Sequence, residues 1–153
     1  VGELVKSVRI MNSMGQIRTL KCDKSSFSYR KNNFLKKGEI IISAILIHKG
    51  IDLTLKEKID TYLEYRKTTQ PLTTKNCGSV FKNNKKFIAG KTIDTIGLKG
   101  FGLESIAVSY KHGNFIENHS GASVEEFEQM IQLLKSEIER FSGQRFELEV
   151  KVY

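Results

Sequence analysis

The chain has few of the residues that interrupt secondary structure, form disulfides or bind metal ions. Among its 153 residues there are one proline, two cysteines and three histidines. The cysteines, Cys22 and Cys77, lie far apart in a chain long enough to bury a core without a covalent link, so we expect two free thiols. Neither a Cys-x-x-Cys nor a His-x-x-x-His spacing occurs. The sequence therefore predicts no metal site.

Long apolar runs and a recognisable leader are also missing. The longest apolar stretch, residues 40–47, has the length of a strand and falls far short of the roughly 20 residues of a membrane helix. No basic, apolar and small-residue segments follow one another at the start. We expect no membrane partner and a cytoplasmic location. Because residue 1 is valine and strand character begins at once, we also expect that the natural N-terminus is missing.

The net charge of +8 is unevenly distributed. Residues 21–37 carry six basic side chains and one acidic side chain, and residues 75–91 carry five basic side chains and no acidic one. Residues 123–149 reverse the balance, with seven acidic and three basic side chains. The two basic segments suit ligands with phosphates or carboxylates, although a solvated lysine-rich surface would have the same composition.

Apolar periodicity predicts an α+β chain. Residues 4–11 and 16–20 are β-prone and flank a turn sequence, which predicts a hairpin. The isoleucine-rich residues 39–48 are typical of a strand that is covered on both faces. A change from strand-rich to mixed content places an organisational boundary near residues 50–54.

Two sequences of the capping-box type predict the main helices. Thr54 and Glu57 would start a helix that ends near Thr68, because Pro71 forces the residue before it out of the helical region. Ser123 and Glu126 would start the longest helix, whose apolar stripe predicts core residues: Val124, Phe127, Met130, Ile131, Leu134, Ile138 and Phe141. Further predicted elements are strands at 80–83, 105–109, 114–118 and 146–153 and a short helix at 89–96.

Three side chains could carry chemistry. Ser79 follows Gly78 in the loop after Pro71, and its hydroxyl can donate and accept; the plain alternative is a small residue at a tight bend. Arg30, in the loop FSYRKNNFLKKG, could hold a carboxylate or phosphate through two parallel hydrogen bonds, or could simply be exposed. Glu149, on the polar face of the predicted last strand, could donate a hydrogen bond in the same cleft, or could be solvated.

Other catalytic assemblies fit the sequence less well. The segment around Ser79 lacks the Gly-x-Ser-x-Gly elbow of a hydrolase, and Cys77 has no signature of a nucleophile. Residues 97–102, GLKGFG, lack the order Gly-x-Gly-x-x-Gly and do not open a helix. We therefore discount a hydrolase triad and a dinucleotide loop.

Six spaced motifs together carry a resemblance. In order they are the Tyr29-Arg30 segment, Gln70-Pro71, CGSVFKN at 77–83, GLKG at 97–100, VSYKHGNFI at 108–116 and EVKV at 149–152. With these motifs the chain resembles the UDP-N-acetylenolpyruvoylglucosamine reductase family, in its shorter form without an extra substrate-domain loop. These flavoenzymes make UDP-N-acetylmuramate for bacterial cell walls.

The resemblance implies that the chain is the C-terminal part of such an enzyme. Residues 1–52 would end the FAD-binding domain, and residues 53–153 would form a mixed α+β substrate-binding domain. The glycine-rich loops that hold the flavin pyrophosphate would precede residue 1. This fragment alone is then expected to bind flavin poorly and to be inactive.

The resemblance also implies the chemistry. NADPH would reduce FAD, and the reduced flavin would pass a hydride to UDP-N-acetylglucosamine enolpyruvate. Arg30 and a protonated Glu149 would stabilise the resulting enolate, and Ser79 would protonate the adjacent carbon. Lys82 and Asn83 would bind substrate together with Arg30.

Three positions depart from the family pattern: Asn32 stands in place of serine, Asn84 in place of proline, and Glu104-Ser105 in place of a glycine pair. None of them is a predicted catalytic residue. The alternative from another class is a basic, non-catalytic module that binds phosphate-rich partners such as nucleic acid. It would explain the charge but not the motifs, and the chain lacks the aromatic residues that stacking platforms intersperse on a basic sheet.

Overall fold

The computed structural model describes residues 2–29, 31–84 and 86–151, and it shows a chain of mixed α and β content. Contacts divide the chain into two compact units, Val1–Leu53 and Thr54–Tyr153. We refer to them as the N-terminal and the C-terminal unit. No helix in the described ranges is long and apolar enough to cross a membrane.

The predicted hairpin is confirmed in the N-terminal unit. Strands β1 (Val5–Met11) and β2 (Ile17–Lys21) pair antiparallel. The side chain of Asn12 organises the turn, because its Oδ1 accepts from the N–H groups of Met14 at 3.0 Å and Gln16 at 2.9 Å. Gly15 supplies the positive φ of +77° that the turn requires.

A short hairpin follows the first two strands. Strands β3 (Phe27–Ser28) and β4 (Lys31–Asn32) pair antiparallel, and the rings of Phe27 and Phe34 pack edge to face with centroids 5.5 Å apart. The predicted arginine of this loop, Arg30, lies outside the described residues.

The isoleucine strand forms as predicted, but its predicted coverage is wrong for the described chain. Strand β5 (Ile40–Leu46) adds to the other edge of β1, giving the order β2-β1-β5. All seven of its residues are exposed, with Ile45 at 60% and Leu46 at 59%. The reason is that no second layer packs on this three-stranded sheet within the described part of the N-terminal unit, where the buried residues are Ser7, Val8 and Ile10.

Helix α1 (Leu55–Thr69) ends where Pro71 predicts, but it does not start with a capping box. Thr54 has the backbone angles of a helical residue, φ −86° and ψ −3°, and does not act as a side-chain cap. At the other end Gln70 is extended, with φ −124° and ψ 147°, as the residue before a proline prefers. The helix buries none of its residues, including the predicted apolar stripe.

The core lies in the C-terminal unit. Strands β6 (Lys75–Asn76), β7 (Ile106–Val108) and β8 (Ile116–Asn118) form a sheet in the order β6-β8-β7. Helices α2 (Ala89–Thr95) and α3 (Val124–Ser142) contribute to the same core. Its buried members are Val80, Phe81, Ala89, Ile93, Ile106, Val108, Ile116, Met130, Ile131, Leu134, Ile138 and Phe146.

Helix α3 confirms the cap at Ser123 and the middle of the predicted stripe. The Ser123 hydroxyl accepts from Glu126 N at 3.2 Å, but the Glu126 carboxylate does not complete the box, because its Oε1 accepts from Ser105 N at 2.6 Å. Glu126 thus contacts the position where the family pattern has glycine. The stripe is buried from Met130 to Ile138, whereas Val124 and Phe141 are each 56% exposed.

The predicted strands at 80–83 and 146–153 do not form full strands in the described residues. They meet in a single antiparallel bridge between Phe81 and Leu148, flanked by two backbone hydrogen bonds. Pairing ends at Lys82 because the chain then turns, with Asn84 N donating to Phe87 O at 3.1 Å.

Candidate functional site

The loop from α1 to Ser79 is shaped by side-chain to backbone hydrogen bonds. Asn76 Nδ2 donates to the carbonyl oxygens of Pro71 at 2.8 Å and Thr74 at 2.9 Å. Its Oδ1 accepts from Gly78 N at 3.0 Å. Gly78 has a φ of +81°, which strongly favours glycine. Asn76 and Gly78 therefore determine the direction in which the chain enters Ser79.

Ser79 lines a polar groove of about 490 Å³ within the C-terminal unit. Its side chain is half-buried, and the exposed Arg66 on the last turns of α1 lines the same groove. Arg66 Nε donates to Gln70 Oε1 at 3.2 Å, so the helix end presents a guanidinium and an amide together. The other lining residues are Pro71, Leu72, Thr74, Asn76, Gly78 and Phe115. The groove offers a hydroxyl beside a positive charge, a combination that suits an anionic substrate.

Glu149 lies on the segment that pairs with the residues after Ser79. Its N–H donates to Val80 O at 2.8 Å, and Lys82 N donates to Glu147 O at 2.8 Å. Glu149 Oε2 is shielded from solvent. The structure therefore links the backbones of two predicted catalytic residues through Val80, although Glu149 is not among the residues that line the groove.

The two predicted binding residues after Ser79 already have partners in the fold. Lys82 Nζ forms an ion pair with Glu147 Oε2 at 3.0 Å, but the glutamate side chain is 82% exposed, so the pair adds little stability and could release the lysine. Asn83 Oδ1 accepts from Ala89 N at 3.0 Å at the start of α2. Their contact with substrate stays a prediction, as do the roles of Arg30, Ser79 and Glu149.

Sequence reasoning missed Arg66 and Gln70 as groove residues. In the sequence, Gln70 stands out only as part of the Gln70-Pro71 motif. The available signal was the place of Arg66 in the last turn of a predicted helix and of Gln70 just after it, which brings both residues next to the loop that leads to Ser79.

A second cavity, of about 440 Å³, includes Cys77 in its lining and is lined largely by apolar side chains, among them Ile106, Ile116 and Phe127. Burial raises the pKa of the Cys77 thiol. A raised pKa lowers the fraction of thiolate, which is the nucleophilic form. The shift therefore makes Cys77 a weaker nucleophile.

The described residues do not fit a flavin pyrophosphate. Such a group is held by a glycine-rich turn that opens a helix. The two long helices instead open on Thr54 and Ser123, and the Tyr110 ring fills the space beside Gly100 in the glycine-rich stretch 97–102. In the described ranges we likewise find no group of three or more histidine, cysteine or acidic side chains that could hold a metal ion.

Comparison with known proteins identifies relatives of the whole chain. A family model described as "UDP-N-acetylenolpyruvoylglucosamine reductase, C-terminal domain" matches residues 70–153. A reductase of that name from Clostridioides difficile is 36% identical over 151 residues, which are 98% of this chain and 50% of the relative. One from Streptococcus pneumoniae is 29% identical over 153 residues, covering 99% of this chain and 51% of the relative.

The fold gives the same result. The crystal structure of UDP-N-acetylenolpyruvylglucosamine reductase from Thermus caldophilus matches 99% of this chain with a TM-score of 0.84 and 26% identity, and the match covers 54% of that chain. The chain thus spans about half the length of the curated relatives that it matches. Because the family model covers more than half of this sequence, including Ser79 and Glu149, the chain belongs to the UDP-N-acetylenolpyruvoylglucosamine reductase family.

Proposed function

We propose that the full-length protein reduces UDP-N-acetylglucosamine enolpyruvate to UDP-N-acetylmuramate, a peptidoglycan precursor, with NADPH as reductant and FAD as mediator. One observation carries this proposal: the residues that line the groove around Ser79, apart from Arg66, lie in the stretch that matches the reductase C-terminal domain. Residues 53–153 would be the substrate-binding domain, and residues 1–52 the end of a flavin-binding domain. Because the described residues do not fit the flavin pyrophosphate, we propose that residues 1–153 alone are inactive.

Reduction of the enolpyruvyl group adds a hydride to its terminal carbon and a proton to the carbon that bears the ether oxygen. Three predicted catalytic residues of this chain serve the protonation step. The hydroxyl of Ser79 donates its proton to that carbon, and Arg30 and a protonated Glu149 stabilise the negative charge on the substrate carboxylate until it does so. The short backbone link from Ser79 through Val80 to Glu149 suits two groups that must act on neighbouring atoms.

The substrate carries a diphosphate in addition to the carboxylate beside the reacting carbon, so its binding requires further positive charge. Arg66 supplies it in the groove, and Lys82 can join it when its exposed ion pair with Glu147 opens. Arg30 would bind the substrate carboxylate, and Asn83 would contribute through its amide. The groove is polar and open, as expected for a ligand that carries a diphosphate.

Substitution Ser79→Ala in the full-length protein tests the assigned proton donor. Flavin reduction by NADPH should keep its rate, whereas reoxidation of the flavin by the enolpyruvyl nucleotide should slow by about 100-fold or more, as for loss of a general acid. Stopped-flow absorbance of the flavin measures both steps. The variant Ser120→Ala, at an exposed serine, is the control.

Two results would count against these statements separately. If the Ser79→Ala variant reoxidised at the wild-type rate, the role of Ser79 would be wrong. If the wild-type protein were not reoxidised by the enolpyruvyl nucleotide at all, the proposed reaction would be wrong. The alternative of a basic nucleic-acid-binding module has no support from the family match, and would return only if oligonucleotides bound more tightly than the UDP-sugar.

A further inference from the structure

The side chain of Asn114 makes backbone hydrogen bonds that a neighbouring strand would otherwise make. It is 3% exposed and lies just before β8. Its Oδ1 accepts from Phe81 N at 2.9 Å, and its Nδ2 donates to Phe81 O at 2.8 Å. Its main-chain oxygen accepts from Val80 N at 2.9 Å. One residue therefore holds three backbone groups of the two residues that follow Ser79.

The location makes these bonds necessary. Val80 and Phe81 are each 1% exposed, so water cannot satisfy their N–H and C=O groups. Only a carboxamide side chain offers an acceptor and a donor at the spacing of a residue's own N–H and C=O. Glutamine has the same end group on a longer stem. Asparagine is thus the residue that matches this gap.

The opposite edge of the same segment faces Glu149. Val80 O accepts from Glu149 N and Lys82 N donates to Glu147 O, both at 2.8 Å. Residues 80–82 are therefore held between Asn114 on one edge and residues 147–149 on the other. Asn76 and Gly78 fix the chain before Ser79, and Asn114 is the buried anchor immediately after it.

We propose that Asn114 is a positioning residue that fixes the Ser79 hydroxyl and, through Val80, the Glu149 backbone for protonation of the substrate. This inference rests on the proposed function. Loss of the Asn114 amide frees the Phe81 backbone, and a shift of about 1 Å at a reacting group can cost about 100-fold in rate.

The kinetic test uses Asn114→Ala and Asn114→Asp in the full-length protein. Both should slow flavin reoxidation by the enolpyruvyl nucleotide by about 10-fold to 100-fold and leave flavin reduction by NADPH unchanged. Aspartate should not rescue the rate, because its second oxygen would face Phe81 O without a proton to donate. In a Ser79→Ala background, Asn114→Ala should add less than about threefold, because residues that act as a unit are not additive.

Asn118→Ala is the matched control. Asn118 is a half-buried asparagine on β8 whose Oδ1 accepts from Gly121 N at 2.8 Å and Ala122 N at 3.2 Å. Its loss should lower stability without slowing reoxidation. The proposal is overturned if Asn114→Ala reoxidises like the wild type, or if it slows the Ser79→Ala variant as much as it slows the wild type.

Amide hydrogen exchange gives a second readout that needs no activity. In the wild type the amides of Val80, Phe81 and Glu149 should exchange as slowly as core amides of α3. In Asn114→Asp these three should exchange at least about 10-fold faster while the α3 amides keep their rates. Unchanged exchange at Val80 and Phe81 overturns the proposal for Asn114, whatever the kinetics show. Failure of the wild type to reduce the enolpyruvyl nucleotide would count against the proposed function alone.

Discussion

Arg66 places a guanidinium in the groove that also holds the Ser79 hydroxyl. We predict that Arg66→Ala raises KM for the enolpyruvyl nucleotide by about 10-fold and leaves kcat nearly unchanged, because a phosphate contact made equally in the ground state and the transition state contributes only to binding. Steady-state kinetics of the full-length protein measure this. Arg140→Ala is the control, because Arg140 pairs with Glu137 at 2.7 Å on α3. An unchanged KM in Arg66→Ala would remove Arg66 from the substrate site.

His112 connects the stability of this region to pH. Burial, the largest effect, lowers the pKa of its half-buried imidazole, and a backbone hydrogen bond partly opposes this; of the nearby charges, Lys99 lowers the pKa and Asp94 raises it. Its Nδ1 accepts from Asn114 N at 3.1 Å, which only an unprotonated nitrogen can do. The folded state therefore favours the neutral ring, whereas an unfolded histidine takes up a proton near pH 6.5.

The sign of the pH effect follows from proton uptake. As pH falls below about 6.5 the unfolded state binds the extra proton, so the free energy of unfolding decreases, and the decrease ends below the pKa of the folded state. We predict that His112→Gln makes urea unfolding less dependent on pH between about 7 and 5 than in the wild type. The exposed His119 provides the control variant His119→Gln. Identical pH dependence in wild type and His112→Gln would contradict this role.

The sequence could point to Ser79 but not to all of the residues around it. Pro71 and Gly78 mark a loop with special backbone geometry, and such geometry can be recognised from residue type. Arg66 was missed because periodicity places a residue on a helix face without saying what that face meets. Asn114 was missed as an anchor for a similar reason: its bonds to Phe81 span 33 positions of the chain.

At the scale of elements, α3 shows which apolar residues stabilise the fold. Leu134 is 1% exposed in the core, whereas its neighbour Leu133 is 36% exposed. We predict that Leu134→Ala lowers the free energy of unfolding by about 2–5 kcal/mol through lost burial and a cavity. Leu133→Ala should lower it by about 1 kcal/mol or less. Urea denaturation compares the two variants, and equal losses would contradict the observed burial.

Elements with strong local signals were predicted well, and those that depend on distant partners were not. The hairpin β1–β2, the end of α1 and the Ser123 cap follow from nearby residues. The last strand was overpredicted, because the alternation after Phe146 describes one face of an extended segment but does not supply a pairing partner. The Thr54 capping box failed because its sequence can also occur within the first helical turn.

At the scale of the whole molecule, the two units differ in how much they bury. The described C-terminal unit contains a core of twelve buried apolar residues, whereas the described part of the N-terminal unit buries Ser7, Val8 and Ile10. We predict that residues 54–153 expressed alone unfold cooperatively in urea and give a dispersed amide NMR spectrum. Residues 1–53 expressed alone should do neither. A cooperative transition in residues 1–53 alone would contradict this difference.

Because the isoleucines of β5 are exposed, the stability of the N-terminal unit also depends on what covers them. Any molecule that covers Ile41 and Ile45 only in the folded state adds about 1.4 kcal/mol to the unfolding free energy for each tenfold rise in its concentration above the dissociation constant. The melting temperature of this unit should therefore change with the composition of the solution as well as with the sequence. Diluting such a molecule below its dissociation constant should therefore destabilise the N-terminal unit.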